Sequence, residues 1–120
     1  MKILVVDDSK IARMSVIKSL KVVHPDAELI QATNGLEAVE YYKKERPDVV
    51  FLDLTMPVMD GYEALKRIKE INKEAQVIVV SADIQSEAKL RVLVAGAKNM
   101  YPKPINVEIM VQIFEQDILL

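Results

Sequence analysis

Hydrophobic positions fall into two kinds of segment that alternate along the whole chain. Short runs rich in β-branched residues occupy Ile3 to Val6, Ala27 to Ala32, Val49 to Leu52 and Val77 to Val80, with a weaker run near Asn99 to Tyr101. Between them lie stretches of helical length with apolar residues every three or four positions. The first, third and fourth runs are apolar without alternation, which predicts strands buried on both faces, as in a parallel sheet covered by helices. After the third run, Ala64, Leu65, Ile68 and Ile71 make a single stripe at helical spacing. Lys66, Lys69, Glu70 and Lys73 fall on the opposite side, with Arg67 at the border, so this side is expected to face water. Helix starts are signalled by Asn34-Gly35 for the second helix, Asp60-Gly61 for the third and Pro104 near the last.

Five strands alternating with five helices predict an α/β fold, a doubly wound parallel sheet. The flavodoxin-like strand order 2-1-3-4-5, with right-handed crossovers, is a common solution. The weak fifth run then suits an edge strand, where Pro102 is tolerated. In this topology ligands bind beyond the carboxyl ends of the strands, at the switch point between the first and third. Asp7 and Asp8 end the first run, and Asp53 ends the third. Three carboxylates gathered at one edge cannot easily all stay ionised without a cation, so a bound metal is expected. An oxygen-rich site with few protein ligands suits Mg²⁺.

Composition narrows the picture. A chain of 120 residues with 51% hydrophobic and 28% charged residues fits one globular domain over 1–120. The net charge of -2 and the scattering of the 16 basic residues give no nucleic-acid footprint. The lack of cysteine excludes disulfides and thiol chemistry and agrees with a reducing compartment. Ile3 to Val6 is too short for a signal-peptide core, and no run approaches the ~20 apolar residues of a membrane span, so a cytoplasmic location is expected. The single histidine, His24, precedes Pro25 in a predicted loop and is expected to be exposed; without a second histidine or a cysteine, zinc is not expected. Tyr41 and Tyr42 read as one exposed and one buried aromatic.

Each candidate side chain has a plain structural reading beside a chemical one. Asp8 alone would be read as a helix N-cap ahead of Ser9 and Lys10. Two adjacent acids opposite a third favour the metal. Asp53 can act as a nucleophile, because a carboxylate attacks phosphorus in line when its surroundings neutralise the incoming charge. Lys103 ends the fifth strand, which puts a cation at the same edge as the acids. Ser81 ends the fourth run, as a simple strand-end residue or as a hydroxyl donor to a phosphoryl oxygen.

Val5-Val6-Asp7-Asp8, Leu52-Asp53-Leu54-Thr55-Met56-Pro57 with Asp60-Gly61, Ser81-Ala82, Gly96-Ala97 and Lys103-Pro104 follow one another in this order. Together they resemble the CheY-like receiver domain of bacterial response regulators, over essentially the whole chain. The resemblance implies that Asp53 accepts a phosphoryl group from a phosphohistidine of a sensor histidine kinase. It implies that Asp8, Asp53 and the Thr55 backbone carbonyl hold Mg²⁺, with Asp7 acting through water. Lys103 would pair with the acids and the phosphoryl group, with a cis Lys103-Pro104 bond. The Ser81 hydroxyl would move toward the phosphate and draw the following loop with it. Such a domain is a switch that catalyses only its own phosphorylation and dephosphorylation, not an enzyme with a separate substrate.

Two features depart from or extend that pattern. Receivers usually place an aromatic residue three positions before the lysine; here that residue is Met100, and neighbouring Tyr101 should face the other way. Thr55 and Asp83 stand where receivers influence how fast phosphate is lost.

The last two helices carry more apolar residues than one sheet is expected to cover. In the fourth, Ala88, Val92 and Ala95 share one face and Leu90, Leu93 and Val94 another. The fifth carries Val107, Ile109, Met110, Val111, Ile113 and Phe114, with Glu108, Gln112, Glu115 and Gln116 confined to a narrower stripe. Helices 4 and 5 are therefore expected to bind a protein target or a second copy. With little chain after the last helix, a free-standing receiver that signals by docking is expected. Two rival classes fit less well. A haloacid-dehalogenase-type phosphotransfer enzyme wants an acid two residues after its nucleophile, where Thr55 stands. A flavin-binding module of the same topology needs a first loop that cradles phosphate, and Asp7-Asp8 would repel it.

Overall fold

The computed structural model describes residues 1–119. Its elements run β1 (Lys2–Val6), α1 (Lys10–Val23), β2 (Glu28–Ala32), α2 (Gly35–Glu45), β3 (Val49–Leu52), α3 (Gly61–Ile71), β4 (Val77–Ser81), α4 (Ser86–Val94), β5 (Asn99–Pro102) and α5 (Val107–Gln116). The strands form one sheet in the order β2-β1-β3-β4-β5, and every pairing is parallel. The expected doubly wound topology is the observed one. The three runs of continuous apolar character are the interior strands, while β2 and β5 lie at the edges.

Alternation along the strands divides the core in two. Leu4, Val6, Val50, Leu52, Val77, Val79 and Met100 face α2, α3 and α4. Ile3, Val5, Val49, Phe51, Ile78, Val80 and Tyr101 face α1 and α5. Tyr42 is buried and Tyr41 exposed, as expected.

Helix caps explain where the loops begin. Asn34 and Asp60 accept the Glu37 and Glu63 amides at 2.8 and 2.9 Å, and Asn106 caps α5 on the Ile109 amide at 2.8 Å. The α1 cap is Ser9, whose hydroxyl accepts from Ala12 N–H at 3.2 Å, so Asp8 does not cap that helix.

Several expectations are corrected by packing between distant segments. His24 is half-buried rather than exposed: it ends α1, and its ring centroid lies 4.3 Å from that of Phe114 on α5. Lys69 does not simply face water; its ammonium donates to the Ala75 carbonyl at 3.0 Å, and its stem lies over Gly96. Ala95 does not share the buried face of Ala88 and Val92, because α4 stops at Val94 and Ala95 is its exposed C-cap.

Candidate acidic site at the carboxyl edge of the sheet

Parallel pairing carries the ends of β1 and β3 to the same edge: Val6 lies beside Leu52, and Asp53 N–H donates to the Val6 carbonyl at 3.0 Å. Asp7, Asp8 and Asp53 follow directly. Each offers a carboxylate oxygen within 4.8 Å of the others. Asp7 and Asp53 are each only 5% exposed, whereas Asp8 is exposed.

Asp7 is fixed from several sides. Its Oδ1 accepts Ser9 N–H at 2.9 Å, and its carbonyl accepts the Arg13 guanidinium at 2.8 Å. Arg13 also donates to Gln31 on β2 at 2.9 Å. Sequence reasoning passed over Arg13; the available signal was its position one turn beyond the Ser9 cap, on the same face of α1.

From the other side, β5 brings in Lys103. Its Nζ lies 2.6 Å from Asp7 Oδ2 and 3.1 Å from Asp53 Oδ1. The Lys103-Pro104 bond is cis, as expected. Lys103 N–H donates to the Ser81 carbonyl at 3.0 Å, so β4 and β5 hold these two residues together. Ser81 is buried, and its hydroxyl accepts Asp83 N–H at 3.0 Å. Thr55 lies exposed on the loop beyond Asp53.

Two carboxylates facing one ammonium leave a buried negative charge uncompensated, with Asp8 adding another at the rim. Burial, and after it the Asp7 charge, push Asp53 above its ordinary carboxylate range, although Lys103 pulls it back. Burial acts to lower Lys103, but its bonds to Asp7 and Asp53 outweigh this and hold it above the ordinary lysine value. The donor set is all oxygen and fits a hard divalent cation such as Mg²⁺.

A family model for the response regulator receiver domain matches residues 3–115. The chain belongs to this family. Its curated relatives include the chemotaxis protein CheY of Bacillus subtilis (strain 168), 42% identical over 107 residues, covering 89% of this chain and 88% of the relative. CheY of Thermotoga maritima is 41% identical, over 86% of this chain and 85% of its own length. Among solved structures, the CheX-CheY-BeF3-Mg+2 complex from Borrelia burgdorferi aligns with a TM-score of 0.81 and 34% identity, over 93% of this chain and 84% of that one. A BeF3-activated DrrB receiver domain aligns with a TM-score of 0.83 and 30% identity, over 96% and 94%.

Receiver domains are signalling modules of two-component systems rather than enzymes with a separate substrate, and as a family they bind Mg²⁺. They take phosphate from histidine kinases and act on protein targets. Among the described residues, no helix is long and apolar enough to cross a membrane.

The departure at Met100 is real packing, not a shift of register. Met100 is buried against the α2–α4 side, and Tyr101 lies in the opposite core, where its hydroxyl bonds Asp117. Burial, together with that carboxylate, raises the Tyr101 phenol to about 12. Tyr101 is thus committed to anchoring the end of α5 and does not stand in for the missing aromatic.

Proposed function

We propose that residues 1–120 form a single receiver domain whose switch is phosphorylation of Asp53, with the phosphoryl group supplied by a sensor histidine kinase in the cytoplasm. The observation that carries this reading is the buried pairing of Asp7 and Asp53 around Lys103, which leaves negative charge for a divalent ion to offset. Asp8, Asp53 and the Thr55 carbonyl would hold Mg²⁺, with Asp7 contributing through water. Bound there, the ion supplies positive charge against the anionic group being transferred.

The chain's own residues account for the remaining steps. An Asp53 carboxylate oxygen attacks the phosphorus of a phosphohistidine, the P–N bond breaks, and the imidazole nitrogen leaves with the electron pair and picks up a proton. Lys103, already 3.1 Å from Asp53 Oδ1, faces the new phosphoryl oxygens. Ser81 accepts a hydrogen bond from Asp83 but keeps its own proton to give. Turning that hydroxyl toward the phosphoryl group pulls on the loop that leads into α4. The BeF3 named with two of the structural relatives, and the Mg named with the Borrelia burgdorferi complex, support this reading, since such a fluoride is similar in size and charge to a phosphoryl group.

Output is assigned to the surface of α4, β5 and α5. Leu90 and Val94 on α4 are 64% and 80% exposed, Leu93 is 38% exposed, and Val107 and Val111 on α5 are each 37% exposed. These two helices flank the edge strand β5 from opposite faces, so one protein target or a second copy can touch all three elements.

Incubation with Mg²⁺ and acetyl phosphate, followed by mass spectrometry of the native chain and Asp53→Asn, tests the assignment. One phosphoryl adduct on the native chain and none on the variant is expected. Equal labelling of both, or steady turnover of acetyl phosphate without an adduct, would point to other chemistry.

A further inference from the structure

The fourth helix is held more lightly than its neighbours. It buries only Ala88 and Val92, whereas α1, α2 and α3 each bury four residues and α5 three. Its N-cap, Gln85, makes no side-chain cap bond. Beyond the shared core, a cation–aromatic contact ties it to α3: the Arg91 guanidinium carbon lies 3.7 Å from the centroid of the Tyr62 ring. This is close for a cation over an aromatic face.

Both partners are connected to the acidic site. Tyr62 packs against the core and follows Gly61, whose N–H donates to the Leu54 carbonyl at 2.9 Å. A Cβ at Gly61 would stand 2.0 Å from the Asp53 carbonyl oxygen, so the start of α3 rests directly on the Asp53 backbone. A second path runs from the Ser81 hydroxyl to Asp83 N–H at 3.0 Å, then from Asp83 Oδ1 to Gln85 N–H at 3.0 Å, and so into α4. One path can pull α4; the other restrains it.

We infer that the Arg91–Tyr62 stack is a latch that holds α4 in its resting position and must loosen when the Ser81–Asp83–Gln85 path moves. This rests on the phosphorylation reading above. The device has somewhere to go. A groove of about 210 Å³ lined by Tyr62, Asp83, Gln85, Glu87, Ala88 and Arg91 adjoins the stack. Glu87 sits four residues before Arg91 on α4, which gives the guanidinium an alternative partner once it leaves the ring. Arg91 and Tyr62 are positioning residues here, since neither touches the phosphoryl site.

A cation over a partly exposed tyrosine biases a two-state equilibrium by about 2- to 5-fold. By linkage, a variant without the latch should bind a phosphoryl mimic more tightly by up to the same factor. The test is an amide NMR titration with BeF3⁻ and Mg²⁺ on the native chain, Arg91→Gln, Tyr62→Leu and the double variant. It is paired with hydrogen exchange of the α4 amides in the ligand-free protein. Each single substitution should lower the half-saturating BeF3⁻ concentration and speed α4 exchange by about 2- to 5-fold. The double variant should match Tyr62→Leu alone, and Tyr62→Phe, which keeps the ring, should stay near native. Unchanged half-saturation, or fully additive effects of the two substitutions, overturns the latch. If the native chain ignores BeF3⁻ and Mg²⁺, the phosphorylation reading fails instead. The exchange data then decide the latch alone, and native-like α4 exchange in Arg91→Gln overturns it.

Discussion

Helices α3 and α4 cover the same face of the sheet but are attached in different ways. The first is capped by Asp60, buries Gly61, Ala64, Leu65 and Ile68, and rests its first residue on the Asp53 backbone. The second has no side-chain cap, buries only Ala88 and Val92, and leaves Leu90 and Val94 largely in solvent. The α3 side braces the backbone of Asp53, the proposed phosphoryl acceptor, whereas the α4 side leaves a helix free to respond. A rigid site next to a lightly held helix is what a switch requires, because ligand energy can shift only an element with a nearby alternative.

Substitutions at matched depth should break this contrast most clearly. Ile68→Ala is expected to cost about 4 kcal/mol in urea unfolding, against about 2 kcal/mol for Val92→Ala, which removes fewer carbons from the lighter helix. Gly61→Ala should cost about 3 kcal/mol, since its Cβ would collide with backbone rather than with a flexible side chain. If Val92→Ala proved as costly as Ile68→Ala, α4 would be no more loosely held than α3.

The next effect concerns charge at the rigid end. Asp53 is held above its ordinary carboxylate value, so the folded chain binds that proton more tightly than the unfolded chain does. Stability therefore falls as pH rises from the ordinary value of 3.8 through the raised one, and the penalty is complete at neutral pH. Asp53→Asn should then be more stable than native by on the order of 1 kcal/mol at pH 7, with the gain disappearing in acid. Thermal unfolding across pH measures this directly, and a variant less stable than native at pH 7 would mean that the Lys103 pairing outweighs the crowding. Added Mg²⁺ should stabilise the native chain at neutral pH and do so less as the carboxylates protonate.

The smallest change in stability is expected on the output surface. Replacing both Leu93 and Val94 by Glu should alter stability by about 0.5 kcal/mol or less and leave Asp53 labelling intact while weakening target or self-association. Pull-down or sedimentation of the phosphorylated chain by analytical ultracentrifugation reports the association, and unchanged binding would rule this surface out.

Much of this arrangement is legible in the chain itself, for physical reasons. Uninterrupted apolar runs marked β1, β3 and β4 as buried on both faces, and strand ends placed Asp7, Asp8, Asp53, Ser81 and Lys103 at one edge. Strand alternation also foretold that Met100 and Tyr101 face opposite cores. What escaped depends on contacts between residues far apart in sequence. His24 meets Phe114 only because α1 and α5 share a face, Lys69 is turned by Ala75 and Gly96, and Arg91 reaches Tyr62 across two helices. Local periodicity carries no record of such pairings.

The crowded carboxylates at the carboxyl edge are expected to bind a divalent ion. A two-dimensional amide spectrum recorded through a Mg²⁺ titration tests it most directly. Saturable shifts centred on Asp7, Asp8, Asp53 and Thr55, greatly weakened in Asp8→Asn, are the predicted result. Shifts that never saturate, or that persist unchanged in Asp8→Asn, would contradict it.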